Sequence, residues 1–106
     1  MSTRLSKITN WEQRIQAANY CVKTLAANCN ISTRQLQRFV RKRWGVAPRV
    51  WMSELRQGRG LSLLATAHTL EDIAADLHYS CAENFTRAFR HHYGQPPSQA
   101  RAEIFQ

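Results

Sequence analysis

The sequence predicts an all-α fold of about seven helices, arranged as two helix-turn-helix units joined by a linker helix. Two observations in the 106 residues predict it. A segment of the first half recurs in the second half, and each copy has the pattern of a short helix, a tight turn and a second helix. A chain of this length is sufficient for one domain or two very small ones.

The internal repeat places residues 25–32 over 73–80 at an offset of 48, and residues 36–48 over 85–97 at an offset of 49. One residue has therefore been added ahead of Phe85. Seven aligned positions are identical, and most of the others exchange apolar for apolar or basic for basic. Two copies indicate a tandem duplication of one unit, because a solenoid needs about three.

The second helix of each unit is predicted at about 32–44 and 81–93. Both begin with a capping-box pattern, Ser32 to Gln35 and Ser80 to Glu83, in which the serine oxygen accepts a backbone N–H and the longer side chain bonds back. Both end at a glycine that is followed by a proline three residues later.

Residues 10–29 form either one helix or two helices with a break near residues 19–20. Two helices are favoured because a helix-turn-helix unit needs a short first helix. The resulting division is residues 1–48 for the N-terminal helix and first unit, 49–67 for the linker helix and 68–106 for the second unit.

Two glycines, Gly58 and Gly60, interrupt the predicted linker helix. Each costs about 1 kcal/mol relative to alanine inside a helix. They indicate either close packing against another helix or a kink.

The charge of the chain is strongly positive, with 15 Lys and Arg against 7 Asp and Glu, a net charge of +8 and an isoelectric point near 10.3. This favours a polyanionic partner, either nucleic acid or an anionic membrane surface.

There is no apolar run near the roughly 20 residues of a membrane span and no signal-like N-terminal stretch. Three widely spaced cysteines favour a reducing compartment. No metal motif or glycine-rich phosphate loop is present, so no metal, cofactor or small-molecule site is expected.

The second helix of the first unit separates basic from apolar residues. Its apolar face is predicted to be Leu36, Phe39, Val40 and Trp44. On the other side, at positions i, i+3, i+4 and i+7, stand Arg34, Gln37, Arg38 and Arg41. Arginine pairs with guanine and glutamine with adenine in the major groove. Residues 32–45 carry five positive charges and no negative one, whereas a merely solvated helix usually mixes signs.

The second unit carries less positive charge at the equivalent positions. These positions are Glu83, Thr86, Arg87 and Arg90. Glu83 could accept from cytosine N4 or serve only as the capping-box partner of Ser80, and the sequence leaves both open. Asn84 is placed to reach a base or a phosphate. His91 and His92 are interpreted as helix-end residues.

Residues 22–101 resemble the DNA-binding domain of the AraC/XylS family of bacterial transcription regulators. In the first unit and linker the matching residues are Leu25-Ala26, Ser32, Leu36-Gln37-Arg38, Gly45, Pro48, Arg56 and Leu63-Leu64. In the second unit they are Ile73-Ala74, Phe85-Thr86-Arg87-Ala88-Phe89, Gly94, Pro97 and Arg101. The resemblance implies two recognition helices that enter successive major-groove segments of double-stranded DNA.

The resemblance also implies site residues and a setting. Base-reading residues would be Arg34, Gln37, Arg38, Glu83, Asn84 and Arg87. Phosphate contacts would come from Thr33, Arg41, Lys42, Thr86 and Arg90. The implied location is the bacterial cytoplasm, in association with the nucleoid, and the implied second partner is RNA polymerase.

The sequence departs from the family pattern at two kinds of position. The usual turn glycines are replaced by Asn30 and His78, and a usual apolar linker residue by Gln57. Asparagine tolerates the left-handed backbone conformation better than histidine does.

The leading hypothesis is a sequence-specific transcription regulator that needs no catalytic residue. The alternative is a non-specific basic protein, architectural or RNA-binding, whose affinity depends on charge alone. Binding to a membrane surface is disfavoured because the aromatic residues lie on the predicted core face. The chain shows no nucleophile, base and orienting group in a catalytic pattern, so an enzyme is not expected. Both a stand-alone regulator and an excised domain fit the sequence.

Overall fold

The computed structural model describes Leu5 and residues 7–105, which contain no strand. Seven helices have defined bounds there: α1 (Trp11–Ala17), α2 (Val22–Asn28), α3 (Thr33–Trp44), α4 (Pro48–Leu64), α5 (Leu70–Asp76), α6 (Ala82–Tyr93) and α7 (Pro97–Ile104). The prediction of an all-α fold with about seven helices is confirmed.

The chain divides into two compact units, residues 1–55 and 56–106, with the boundary inside α4. Each unit holds one helix, turn, helix pair, α2 with α3 in the first and α5 with α6 in the second. The separate linker segment at 49–67 stays a prediction.

Helices α1 and α2 are separated by two residues in the left-handed conformation, Asn19 at φ 55° and Tyr20 at φ 57°. An L-residue in this conformation cannot continue a right-handed helix. The chain therefore forms two helices between residues 10 and 29, which was the favoured alternative. The N-cap of α1 is Asn10, whose side-chain oxygen accepts from Arg14 Nε and makes no capping bond to the backbone.

The core of the first unit collects apolar side chains from all its helices. The largest buried members are Trp11, Ile15, Leu25, Leu36, Phe39, Val40, Trp51 and Met52. Trp44, which was predicted to join this core, is 38% exposed. It lies at the last position of α3 and stacks on Trp51, with ring centroids 4.5 Å apart. It therefore forms the edge of the core.

The core of the second unit is built around Phe85 and Phe89 of α6, which are fully buried. Gly60 of α4 lies against it. A Cβ on Gly60 would come 3.0 Å from Phe85 Cε1 and 3.1 Å from Leu77 Cδ1, whereas a Cβ on Gly58 would meet nothing within 4 Å. Close packing is thus the role of Gly60, and α4 runs through both glycines without ending.

Two arginines hold the backbone of the second unit. Arg56 donates from Nε to Leu77 O at 2.9 Å and from Nη2 to His78 O at 3.1 Å, and its Cζ lies 3.8 Å from the centroid of the Tyr79 ring. Arg101 bonds in the same way to the carbonyls of Leu64 and His68. Leu64 and Leu77 lie at the C-terminal ends of α4 and α5, where carbonyls lack partners within the helix, so these arginines satisfy carbonyls that need an outside donor.

The turns that precede α3 and α6 use the residues predicted to replace glycine. Asn30 has φ 59° and His78 has φ 65°. Behind the second turn lies Gln57, which is 2% exposed and donates from Nε2 to the Tyr79 hydroxyl at 2.6 Å. Its Oε1 is buried without a hydrogen-bond partner among the described residues, which costs stability.

Candidate nucleic-acid interface

Helix α3 begins with the capping box that the sequence predicts. Ser32 Oγ accepts from the Gln35 backbone N–H at 3.1 Å, and Gln35 Oε1 accepts from the Ser32 backbone N–H at 2.9 Å. The helix ends at Gly45 in the left-handed conformation, φ 76°. Both ends of α3 are therefore fixed by local contacts.

The outer face of α3 consists of exposed polar side chains opposite the buried Leu36, Phe39 and Val40. Every residue predicted for DNA contact on this helix is exposed: Thr33, Arg34, Gln37, Arg38, Arg41 and Lys42. With Arg43 added, α3 carries five positive charges and no negative one. This face presents hydrogen-bond donors and positive charge, which are suited to phosphates and to the acceptor edges of guanine.

Helix α6 begins one residue later than predicted. Its N-cap is Cys81, with φ −160° and ψ 166°, and no side chain caps it. The reason is the added residue of the repeat: α6 aligns with α3 at an offset of 49, so Cys81 stands where Ser32 stands in the first unit. The predicted capping box between Ser80 and Glu83 is therefore wrong.

The shift removes the capping role that the sequence left open for Glu83. Glu83 is the second residue of α6 and is exposed, and its carboxylate makes no hydrogen bond to any described residue. A carboxylate in the first turn is favoured by the helix dipole. It is therefore available to accept a hydrogen bond from a partner outside the chain.

Asn84 is engaged at the same helix end. Its Nδ2 donates to Ser80 Oγ at 2.6 Å, and the side chain is partly buried. The serine predicted to cap the backbone thus bonds a side chain instead.

The outer face of α6 forms one shallow depression, lined by Glu83, Thr86, Arg87, Arg90 and His91. Four of these five are the residues that the repeat alignment predicts. His91 was interpreted as a helix-end residue, although its spacing of eight positions from Glu83 places it on this face. Helix α6 then ends at Gly94, φ 82°, and burial raises the pKa of the adjacent Tyr93 above its usual value.

The charge of the two outer faces differs sharply. Between Ala82 and Tyr93, Glu83 opposes Arg87 and Arg90, so α6 carries a formal +1 against the +5 of α3.

Among the residues with described positions, no three His, Cys, Asp or Glu side chains are grouped as a metal site would need. No described helix is long and apolar enough to cross a membrane.

Residues 25–103 match the sequence profile of a helix-turn-helix domain family. Over 59 residues the chain is 37% identical to the virulence regulon transcriptional activator VirF of Yersinia enterocolitica and to the thermoregulatory protein LcrF of Yersinia pestis. The match covers 55% of this chain and 22% of each relative, so the chain spans about a fifth of their length.

Solved structures show the same fold. An AraC-type transcriptional regulator from Chromobacterium violaceum is similar with a TM-score of 0.74 at 22% identity, covering 99% of this chain and 95% of that one. The DNA-binding domain of the global transcriptional factor AdpA is similar with a TM-score of 0.71 at 24% identity, covering 86% of this chain and 88% of that one. Since the family profile covers most of the chain and its helices have this arrangement, the chain belongs to the AraC/XylS family of DNA-binding helix-turn-helix domains.

Proposed function

We propose that this chain is the sequence-specific DNA-binding part of a transcription regulator, and that α3 and α6 are its recognition helices. The observation that carries the proposal is the outer face of α3, where five positive charges and Gln37 are exposed opposite a buried apolar face. Such a face, on the second helix of a helix-turn-helix unit, is the kind that lies in the major groove.

In the first unit, the residues near the start and middle of the outer face would read bases. Arg34 and Arg38 would donate to guanine O6 and N7, and Gln37 would pair with adenine. Thr33, Arg41 and Lys42 would contact phosphates and fix the register of the helix on the duplex.

In the second unit, Glu83, Asn84 and Arg87 would read bases, while Thr86 and Arg90 would contact phosphates. The exposed Glu83 carboxylate is suited to the exocyclic amine of cytosine, and Arg87 to guanine. A carboxylate repels phosphates, so its place on this face favours a role in selecting a base over a role in general affinity.

The relatives support this proposal. VirF is a transcriptional activator, and the AdpA domain was crystallised with a target DNA. The proposal includes RNA polymerase as the second partner, because activation of transcription needs an effect on the polymerase. It also includes the bacterial nucleoid as the location. The family and fold are those of regulators that are not enzymes, and we extend this to the chain itself.

The alternative is non-specific binding, which the net charge of +8 favours. Selection of bound sequences from a random duplex pool separates the two. The proposal requires an enriched motif, and the enriched duplex should bind roughly 10³-fold or more tightly than a random duplex at the same salt concentration. A pool that stays random, with equal binding of both duplexes, would establish the non-specific alternative.

A matched control links the result to the outer faces. Glu103 and Arg49 are exposed charged residues outside α3 and α6, and substituting them with alanine should leave the enriched motif unchanged. Alanine at Arg38 should alter the motif.

A further inference from the structure

The added residue of the second unit changes what the serine before the recognition helix does. In the first unit Ser32 is the N-cap and bonds the backbone N–H of Gln35. In the second unit Ser80 lies one position before the N-cap, and its Oγ accepts from the Asn84 side chain at 2.6 Å. The serine of the first unit therefore caps the helix backbone, whereas Ser80 of the second unit bonds a side chain.

Gln35 and Asn84 occupy the same position, the third residue of their helices, but their side chains have different tasks. The Gln35 carbonyl oxygen is engaged by the Ser32 backbone, so this side chain is folded back onto its own helix end. Asn84 makes no such bond. Only one of its N–H groups is engaged by Ser80, which leaves the carbonyl oxygen and the second N–H without a described partner.

These two remaining groups form an adjacent acceptor and donor. Adenine offers the complementary pair in the major groove, the N6 amine as donor and N7 as acceptor, and asparagine pairs with both at once. Asn84 precedes Arg87 by three residues and lies in the first turn of α6, the part of a recognition helix that meets base edges. Its amide is therefore held at the place where a base would be read.

We propose that Ser80 is a positioning residue that holds the Asn84 amide in the orientation that reads adenine. This inference rests on the proposed function. The bond to Ser80 fixes the side chain before DNA arrives, so binding does not have to order it. The first unit has no equivalent, because its third-position side chain serves the capping box.

The experiment selects bound sequences from a random duplex pool with the full chain and four variants. Ser80→Ala removes the acceptor, Ser80→Thr keeps a hydroxyl, and Asn84→Ala removes the reader. Ser98→Ala is the matched control, because Ser98 is an exposed serine of the same unit on α7. Thermal melting by circular dichroism is recorded for each variant.

Asn84→Ala should abolish a preference for adenine at one position of the motif. Ser80→Ala should weaken that same preference about fivefold, without changing the other positions or the melting temperature. Ser80→Thr should restore it, and Ser98→Ala should match the original chain at every position.

Three results would overturn the inference: a Ser80→Ala motif identical to the original, a uniform loss of affinity on all sequences, or a base other than adenine at the position that Asn84 controls. An original chain that selects no motif would instead refute the proposed function itself.

Discussion

Gly60 lies directly against the ring of Phe85, with 3.0 Å between the place of a Cβ on Gly60 and Phe85 Cε1. Phe85 belongs to α6 and is fully buried, so its ring has little room to move away. The missing side chain at residue 60 therefore lets α4 approach the helix whose outer face is the candidate interface.

Alanine at Gly60 and at Gly58 should have opposite effects on stability. Both substitutions gain about 1 kcal/mol of helix propensity. Gly58 has open space, so Gly58→Ala should raise the free energy of unfolding by up to that amount. Gly60→Ala overpacks against Phe85 and Leu77, which typically costs about 1–3 kcal/mol, so it should be neutral to destabilising.

Urea unfolding followed by far-ultraviolet circular dichroism measures the free energy of unfolding of Gly58→Ala and of Gly60→Ala. Since all three tryptophans lie in residues 1–55, their fluorescence should report the first unit and change little with either variant. Equal stabilisation by the two alanines would show that Gly60 is not close-packed.

Removing the side-chain cap of α3 and adding one to α6 should change stability in opposite directions. Ser32→Ala removes the side-chain cap of α3 and should cost about 1 kcal/mol. Cys81→Ser places a hydroxyl at the uncapped N-cap of α6 and should stabilise the chain by about 0.5–1 kcal/mol. Thermal unfolding of each variant against the original chain measures this. A Cys81→Ser variant no more stable than the original would mean that the serine makes no cap there.

These caps show what the sequence alone could predict. The box between Ser32 and Gln35 was predicted correctly because Ser32 is the N-cap of α3, so the sequence pattern and the helix start coincide. The box at Ser80 was wrong because the repeat alignment did not establish on which side of that serine the extra residue falls. In the structure the helix begins at Ala82, and Phe85 and Phe89 on its apolar face are fully buried.

Contacts between segments distant in the chain were beyond the sequence. Arg56 and Arg101 were recognised only as parts of a family pattern, and their bonds to distant backbone carbonyls depend on how α4, α5 and α7 pack. His91 was missed for a different reason. Its helical spacing from Glu83 is that of the outer face of α6, but its place near the helix end led to the interpretation as a helix-end residue.

Arg38 and Arg41 should differ in the kind of loss that their removal causes. Arg38→Ala removes a proposed base contact, so it should cost about 1–3 kcal/mol at the preferred duplex and relax selection at one base pair. Arg41→Ala removes a proposed phosphate contact, so it should weaken all duplexes alike and reduce the salt dependence by about one charge. Titrations of preferred and random duplexes at several salt concentrations measure both. A uniform loss for Arg38→Ala would reassign that residue to a phosphate.

The first unit should supply more of the affinity than the second. The α3 pair Arg38 and Arg41 stands among three further positive charges, whereas the α6 pair Arg87 and Arg90 shares its face with the Glu83 carboxylate. If about six phosphates are neutralised overall, log K should fall with log salt at a slope near −5. Replacing the α3 pair by alanine should weaken binding to the preferred duplex more than replacing the α6 pair, which has the same spacing and removes the same charge. The test compares the affinities of the two double variants on one duplex at one salt concentration. A larger loss from the α6 pair would assign the leading role to the second unit.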